Sequence, residues 1–129
     1  MPYRVAVVDD NAGLLHVMHS VLGQFGYEVA KVRNPRSVAR QLHHLRPDAV
    51  VLDVNLGHPD SGWDVLAQVR ADPVLESTPV IMYSADIASL RERQVTLDRF
   101  RCAALEKPFE LQDLLKLLRD ALPQSAITH

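Results

Sequence analysis

Short apolar runs alternate along this chain with stretches whose apolar residues recur every three or four positions. Tyr3 to Val8 is valine-rich and reads as a buried strand, ended by Asp9, Asp10 and Asn11. Leu14, Met18, Val21, Leu22 and Phe25 then follow at helical spacing, and Gly26 stops that helix. Tyr27 to Val32 predicts a second strand. Asn34-Pro35 reads as a helix start, Asn as cap and Pro at the first helical position, with Val38, Leu42 and Leu45 on the inner face. After Pro47, Ala49 to Leu52 predicts a third strand closed by Asp53. Asn55 to Gly62 holds two Gly, a Pro and an Asp and reads as a loop. Trp63 to Ala71 predicts a short helix and Pro79 to Tyr83 a fourth strand. Asp86 caps a helix running to about Asp98, although its apolar stripe of Ile87, Leu90 and Leu97 is sparse. Cys102 to Leu105 predicts a very short fifth strand. Leu111, Leu114, Leu115, Leu118 and Leu122 form the most regular amphipathic pattern of the chain, ended by Pro123.

Five strand–helix units in succession predict an α/β fold, a parallel sheet with helices on both faces and right-handed crossovers. The strands are nearly continuous apolar runs, as expected of a sheet covered on both sides. One domain over residues 1–122 accounts for the pattern, with residues 123–129 as a flexible tail.

Composition narrows the class. The chain has 129 residues, 47% of them apolar and 23% charged, which suits one ordinary globular domain. Its net charge of -2 supplies neither a cationic face for direct nucleic-acid binding nor a polybasic membrane signal. The lone Cys102 excludes an internal disulfide and fits a reducing cytoplasm. No signal-peptide pattern is present, and no apolar run approaches the roughly 20 residues of a membrane span. His16 and His19, and the neighbours His43 and His44, lack a further ligand at metal-binding spacing and read as surface residues.

The remaining polar residues fall where such a fold places its chemistry, outside the carboxyl ends of the strands. Asp9 and Asp10 follow the first strand, Asp53 the third, Ser84 the fourth and Lys107 the fifth. Taken singly, each has an ordinary structural reading, such as an acidic cap on the next helix or a solvated lysine. Together they make a site. Three converging carboxylates raise one another's pKa values, and a divalent cation removes that cost. All-oxygen ligands suit Mg²⁺, which prefers sites shared with phosphate. A carboxylate can act as nucleophile toward phosphorus, with metal, lysine and hydroxyl stabilising the transferring oxygens. A phosphatase built on Asp53 would need a second acid two residues on, and Asn55 is a poor proton donor there. A flavodoxin-like binder would need a Ser/Thr/Gly-rich loop after the first strand, where Asp9-Asp10-Asn11 stands, and no Walker loop occurs.

These residues resemble the receiver domain of two-component response regulators. The carrying segments are Val5 to Asn11, Val50 to Asp53, Val80 to Ala85 and Glu106 to Phe109, in order and at the right strand ends. The resemblance covers about residues 3–122 and implies a doubly wound, five-stranded parallel sheet in the flavodoxin-like order 2-1-3-4-5, with five helices on two faces. It implies that Asp53 is the phosphoacceptor, supplied by a sensor histidine kinase or a histidine phosphotransfer protein. Asp9, Asp10, Asp53 and the backbone carbonyl of Asn55 would hold Mg²⁺, Ser84 and Lys107 would bond phosphoryl oxygens, and Lys107-Pro108 would be cis. It further implies a downstream protein target or fused output domain, and a possible homodimer through the fourth helix, fifth strand and fifth helix. Asn55 and Asp86 occupy positions thought to tune dephosphorylation and resemble those of fast-decaying chemotaxis receivers.

The chain departs from the family pattern in places. The loop after Asp53 carries Gly57 and Ser61 where Pro and Gly are usual, with Pro59 inside it and the Gly displaced to Gly62. Phe100-Arg101 replaces the usual Gly-Ala before the fifth strand, and Ala104 stands where the switch aromatic is usual. Output would then depend on the segment after Ser84 and the sparse fourth helix. A degenerate receiver, working by contact without phosphorylation, is the alternative that Ala104 keeps open.

Overall fold

The computed structural model describes residues 2–33, 37–56, 61–107 and 109–122. The expected Asn34-Pro35 helix start, Gly57, His58 and Pro59 of the loop, the Lys107-Pro108 peptide and the 123–129 tail lie outside the described residues. Five strands, β1 (Arg4–Val8), β2 (Glu28–Val32), β3 (Ala49–Asp53), β4 (Val80–Ser84) and β5 (Ala103–Glu106), pair in parallel in the order β2-β1-β3-β4-β5. Helices α1 (Ala12–Gln24), α2 (Val38–Leu45), α3 (Ser61–Ala71), α4 (Ile87–Glu92), α5 (Gln94–Arg99) and α6 (Leu111–Ala121) cover both faces. The doubly wound sheet with flavodoxin-like order is therefore as the sequence implies.

Strand alternation divides the apolar residues into two cores. Val5, Val7, Val51 and Ile81 face Leu15, Met18 and Leu22 of α1 and Leu114 and Leu118 of α6. Ala6, Val8, Val50, Leu52 and Met82 face Leu42 of α2, Leu66 and Val69 of α3, Leu90 and Leu97. Strands β3 and β4 are buried along their whole length, which explains their lack of polar alternation. Among the described residues, no helix is long and apolar enough to cross a membrane.

The structure corrects the sequence reading in two places. The expected fourth helix is two short helices that meet at Arg93, so six helices stand where five were expected. Among the described side chains of the segment, only Leu90 and Leu97 are buried apolar residues, and Val95 between them is 80% exposed. With no continuous stripe to hold against the sheet, packing does not enforce a single helix. Arg93, half-buried at the junction, sets its guanidinium 5.1 Å from the Trp63 ring centroid. The second correction is that Ser61 and Gly62, expected in a loop, form the first turn of α3.

Before β5 the chain passes through Arg101 at φ 57°, a left-handed conformation that suits glycine better. Nearby, half-buried Arg70 donates from Nε to the Phe100 carbonyl (2.8 Å) and from Nη1 to the Thr78 carbonyl (2.7 Å). It thus ties the α3–β4 connection to the end of α5. Burial lowers its pKa below the ordinary arginine range, yet the group stays cationic. Arg70→Met keeps the stem and removes these charged donors, so a loss of about 2 kcal/mol in chemical denaturation is expected. An unchanged midpoint would show that water replaces them freely.

Candidate functional site

The alternation that builds the α1/α6 core also aims the chemistry. Asp9 continues the parity of Val5 and Val7, Asp53 that of Val51, Tyr83 that of Ile81, and Lys107 that of Leu105. Four polar side chains from four strands therefore leave the carboxyl edge of the sheet on the same face. Asp53 and Tyr83 are register partners. Ladder bonds run one residue past the strands, from Val54 N–H to the Tyr83 carbonyl (3.0 Å) and from Lys107 N–H to the Ser84 carbonyl (2.8 Å). They fix where the loops depart.

Asp9 and Asp53 are buried, at 1% and 6% exposure, while Asp10 is exposed. Carboxylate oxygens of Asp9, Asp10 and Asp53 all lie within 4.8 Å of one another. Neither Asp9 nor Asp10 caps α1. Asn11 does so, accepting the Leu14 N–H at its side-chain oxygen (3.1 Å), which leaves both acids to the cluster. Asp9 Oδ1 accepts the Asn11 N–H (2.8 Å) and Asp53 Oδ1 the Asn55 N–H (3.0 Å). Lys107 Nζ lies 3.3 Å from Asp9 Oδ2 and 3.4 Å from Asp53 Oδ2. One ammonium thus bridges two carboxylates of a cluster of three. Burial pushes the Asp53 carboxyl above its ordinary range, opposed by the Asn55 N–H and by Lys107 and reinforced by Asp9. Hard oxygen donors with surplus negative charge are the chemistry a Mg²⁺ ion needs.

Ser84 follows the parity of Met82 and so leaves β4 on the other face. It is buried, and its Oγ accepts the Asp86 N–H (2.9 Å). The Asp86 carboxylate in turn caps α4 by accepting the Ser89 N–H (3.0 Å). Ser84 is therefore joined to the start of α4, as its sequence position suggests.

The α3 side is held by backbone proximity. Gly62 N–H donates to the Val54 carbonyl (2.7 Å), and the Ser61 hydroxyl accepts the Leu56 N–H. A Cβ at residue 62 would lie 2.2 Å from the Asp53 carbonyl oxygen and 2.7 Å from Val54 Cα. The glycine exists for that approach.

Tyr83 is the residue that sequence reasoning left out of the site. It is fully buried, and its hydroxyl donates to Asp9 Oδ2. Burial and the adjacent carboxylates push the phenol far above its ordinary range, so it keeps its proton and acts as donor. Lys107 Nζ lies 4.4 Å from its ring centroid, and Phe109 packs edge-on with centroids 6.0 Å apart. The signal was present: residue 83 shares parity with Asp53, two residues past Ile81.

A doubly wound sheet with an acidic cluster and a lysine at its carboxyl edge is the arrangement expected of a signalling receiver. The chain belongs to the response regulator receiver domain family, whose model matches residues 5–119. It is 34% identical over 122 residues to the response regulator MprA of Mycolicibacterium vanbaalenii, covering 95% of this chain and 51% of that protein. The chain spans about half the length of the curated relatives it matches. The chemotaxis protein CheY4 of Vibrio cholerae superposes with a TM-score of 0.82 at 25% identity, covering 95% of this chain and all of that one. The receiver domain of a sensor histidine kinase from Pseudomonas aeruginosa superposes with a TM-score of 0.78 at 24% identity, covering 93% and 97% of the two chains. That structure has magnesium coordinated in its active-site cleft.

Proposed function

We propose that this domain is a phosphorylation-dependent switch in which Asp53 accepts a phosphoryl group from the phosphohistidine of a sensor histidine kinase or histidine phosphotransfer protein. The observation that carries this reading is the buried Asp53 carboxylate, set among Asp9 and Asp10 with Lys107 Nζ at 3.4 Å. In the step, an Asp53 oxygen bonds to phosphorus while the phosphorus–nitrogen bond to the donor's imidazole breaks. The imidazole leaves with the electron pair and takes up a proton. Asp9, Asp10, Asp53 and the Asn55 carbonyl would hold Mg²⁺, which supplies charge neutralisation on the transferring oxygens. Lys107, held between two carboxylates, is placed to follow the new charge when Asp53 is modified. Apart from this self-modification the domain acts as a signalling module and turns over no small substrate.

Ser84 offers the route outward. If its hydroxyl turns toward a phosphoryl oxygen, the Asp86 N–H loses its acceptor and the cap of α4 is disturbed. The short α4 and α5, which bury few residues, can yield to that change. The recipient would be a fused output domain or a separate protein in the cytoplasm, or a second copy engaged through α4–α5, β5 and α6. Ala104, exposed on β5 with no aromatic to swing, favours one other reading, a degenerate receiver that works by contact alone.

Incubation with phosphoramidate and Mg²⁺, read by intact mass, tests the choice. Wild type is expected to gain one phosphoryl group, and Asp53→Asn and EDTA-treated protein none. Failure of the wild type to gain it despite bound Mg²⁺ would favour the contact module.

A further inference from the structure

We propose that Tyr83 is a positioning residue of the acidic site, its hydroxyl occupying the Asp9 oxygen that faces Lys107 and thereby holding down the site's affinity for a divalent cation. This rests on the reading of Asp9, Asp10 and Asp53 as a Mg²⁺ site.

Asp9 is satisfied by the protein itself. Its Oδ1 accepts the Asn11 N–H, and its Oδ2 accepts the Tyr83 hydroxyl with Lys107 Nζ at 3.3 Å. A carboxylate offers about four acceptor positions, so most of this one's capacity is committed. A cation that draws on Asp9 must share an oxygen already polarised by these donors. The hydroxyl is not free to swing away. The ring is fully buried, lies under Lys107 and meets Phe109 edge-on. Leaving Asp9 would strand a buried donor, which is unfavourable. Tyr83 therefore makes Asp9 the most reluctant ligand of the three and leaves Asp53 and the exposed Asp10 to contribute most. The same side chain supports Lys107, so the metal-binding and phosphoryl-binding groups share a single aromatic floor.

Tyr83→Phe keeps the ring and removes the donor. Calorimetric titration with Mg²⁺ is expected to show binding about fivefold tighter than wild type, the effect of one net hydrogen bond. Asp9→Asn closes the cycle: in that background the same substitution should leave the affinity unchanged, because the carboxylate it acts through is gone. A change in packing alone would not show that dependence. Unchanged or weaker binding in Tyr83→Phe overturns the proposal, as does equal tightening in both backgrounds. Should the Phe variant fail to fold, ¹⁹F spectra of wild-type protein labelled with 3-fluorotyrosine decide. Its three tyrosines are assigned with Tyr3→Phe and Tyr27→Phe. The Tyr83 signal is expected to move on Mg²⁺ addition, and an unmoved signal overturns the proposal. Wild-type protein that binds no Mg²⁺ overturns the functional reading and this proposal together; binding that Tyr83→Phe leaves untouched overturns this proposal alone.

Discussion

Gly62→Ala is expected to lose about 3 kcal/mol or more of stability, lowering the thermal midpoint by roughly 10 °C for a domain of this size. The added methyl would stand 2.2 Å from the Asp53 carbonyl, 2.7 Å from Val54 Cα and 2.8 Å from the Val54 carbonyl. All three are backbone atoms, so no side-chain rotation relieves them. Either α3 moves off the sheet or the end of β3 yields, and both break the Gly62 N–H bond to Val54. The end of β3 carries Asp53, so loss of stability should come with weaker Mg²⁺ binding. Gly23→Ala is the control. It lies in α1, a Cβ there meets nothing within 4 Å, and alanine should stabilise by a few tenths to about 1 kcal/mol. If both alanine variants melt like wild type, the close approach at Gly62 is not what holds α3.

The contrast between these two glycines shows what sequence could and could not convey. Gly62 reads as loop punctuation because local chemistry cannot reveal that another backbone lies against it. The sheet order was legible only through the family resemblance, whereas the convergence of Asp9, Asp53 and Lys107 was legible from the strand ends alone. The helix after Asp86 was legible only at its cap, whose Asx geometry is local. Its break at Arg93 follows from how little of the segment packs on the sheet, and the Arg93 contact with Trp63, thirty residues away in sequence, is met only in the fold. Tyr83 was hidden differently. Its position beside Ser84 is plain, but its hydroxyl reaches Asp9 across β3, and no local pattern encodes that contact. Arg101 takes a left-handed backbone, φ 57°, with no glycine there to ease it, and no local pattern announced that turn.

In metal-free protein at neutral pH, Lys107→Met is expected to be less stable than wild type by about 2 kcal/mol, and Asp53→Asn more stable. Both follow from the same imbalance. Lys107 is paired with both Asp9 and Asp53, and removing it leaves buried carboxylates uncompensated. Its side chain is 26% exposed, so water recovers part of the loss and the figure stays below that for a fully buried pair. Asp53→Asn removes one of the repelling charges while Lys107 keeps Asp9. The pH dependence gives the sign. Burial raises the Asp53 pKa above its ordinary 3.8, so the folded state binds the proton more tightly than the unfolded chain. Below 3.8 both states are protonated and the charge contributes nothing. As pH rises through the window from there to the raised folded value, wild type loses stability, and above it the penalty is complete. The advantage of Asp53→Asn should therefore grow across that window and then level off. Mg²⁺ should reverse the order, stabilising wild type by mass action, about 2.7 kcal/mol at a hundredfold excess over its dissociation constant. Asp53→Asn, short of one ligand charge, should gain less, and Lys107→Met should recover most of its loss because the metal replaces the missing cation. Thermal melts in EDTA and in Mg²⁺ across this pH range test every arm. An Asp53→Asn advantage that is the same at pH 3.5 and pH 7 would place the effect in packing rather than in charge.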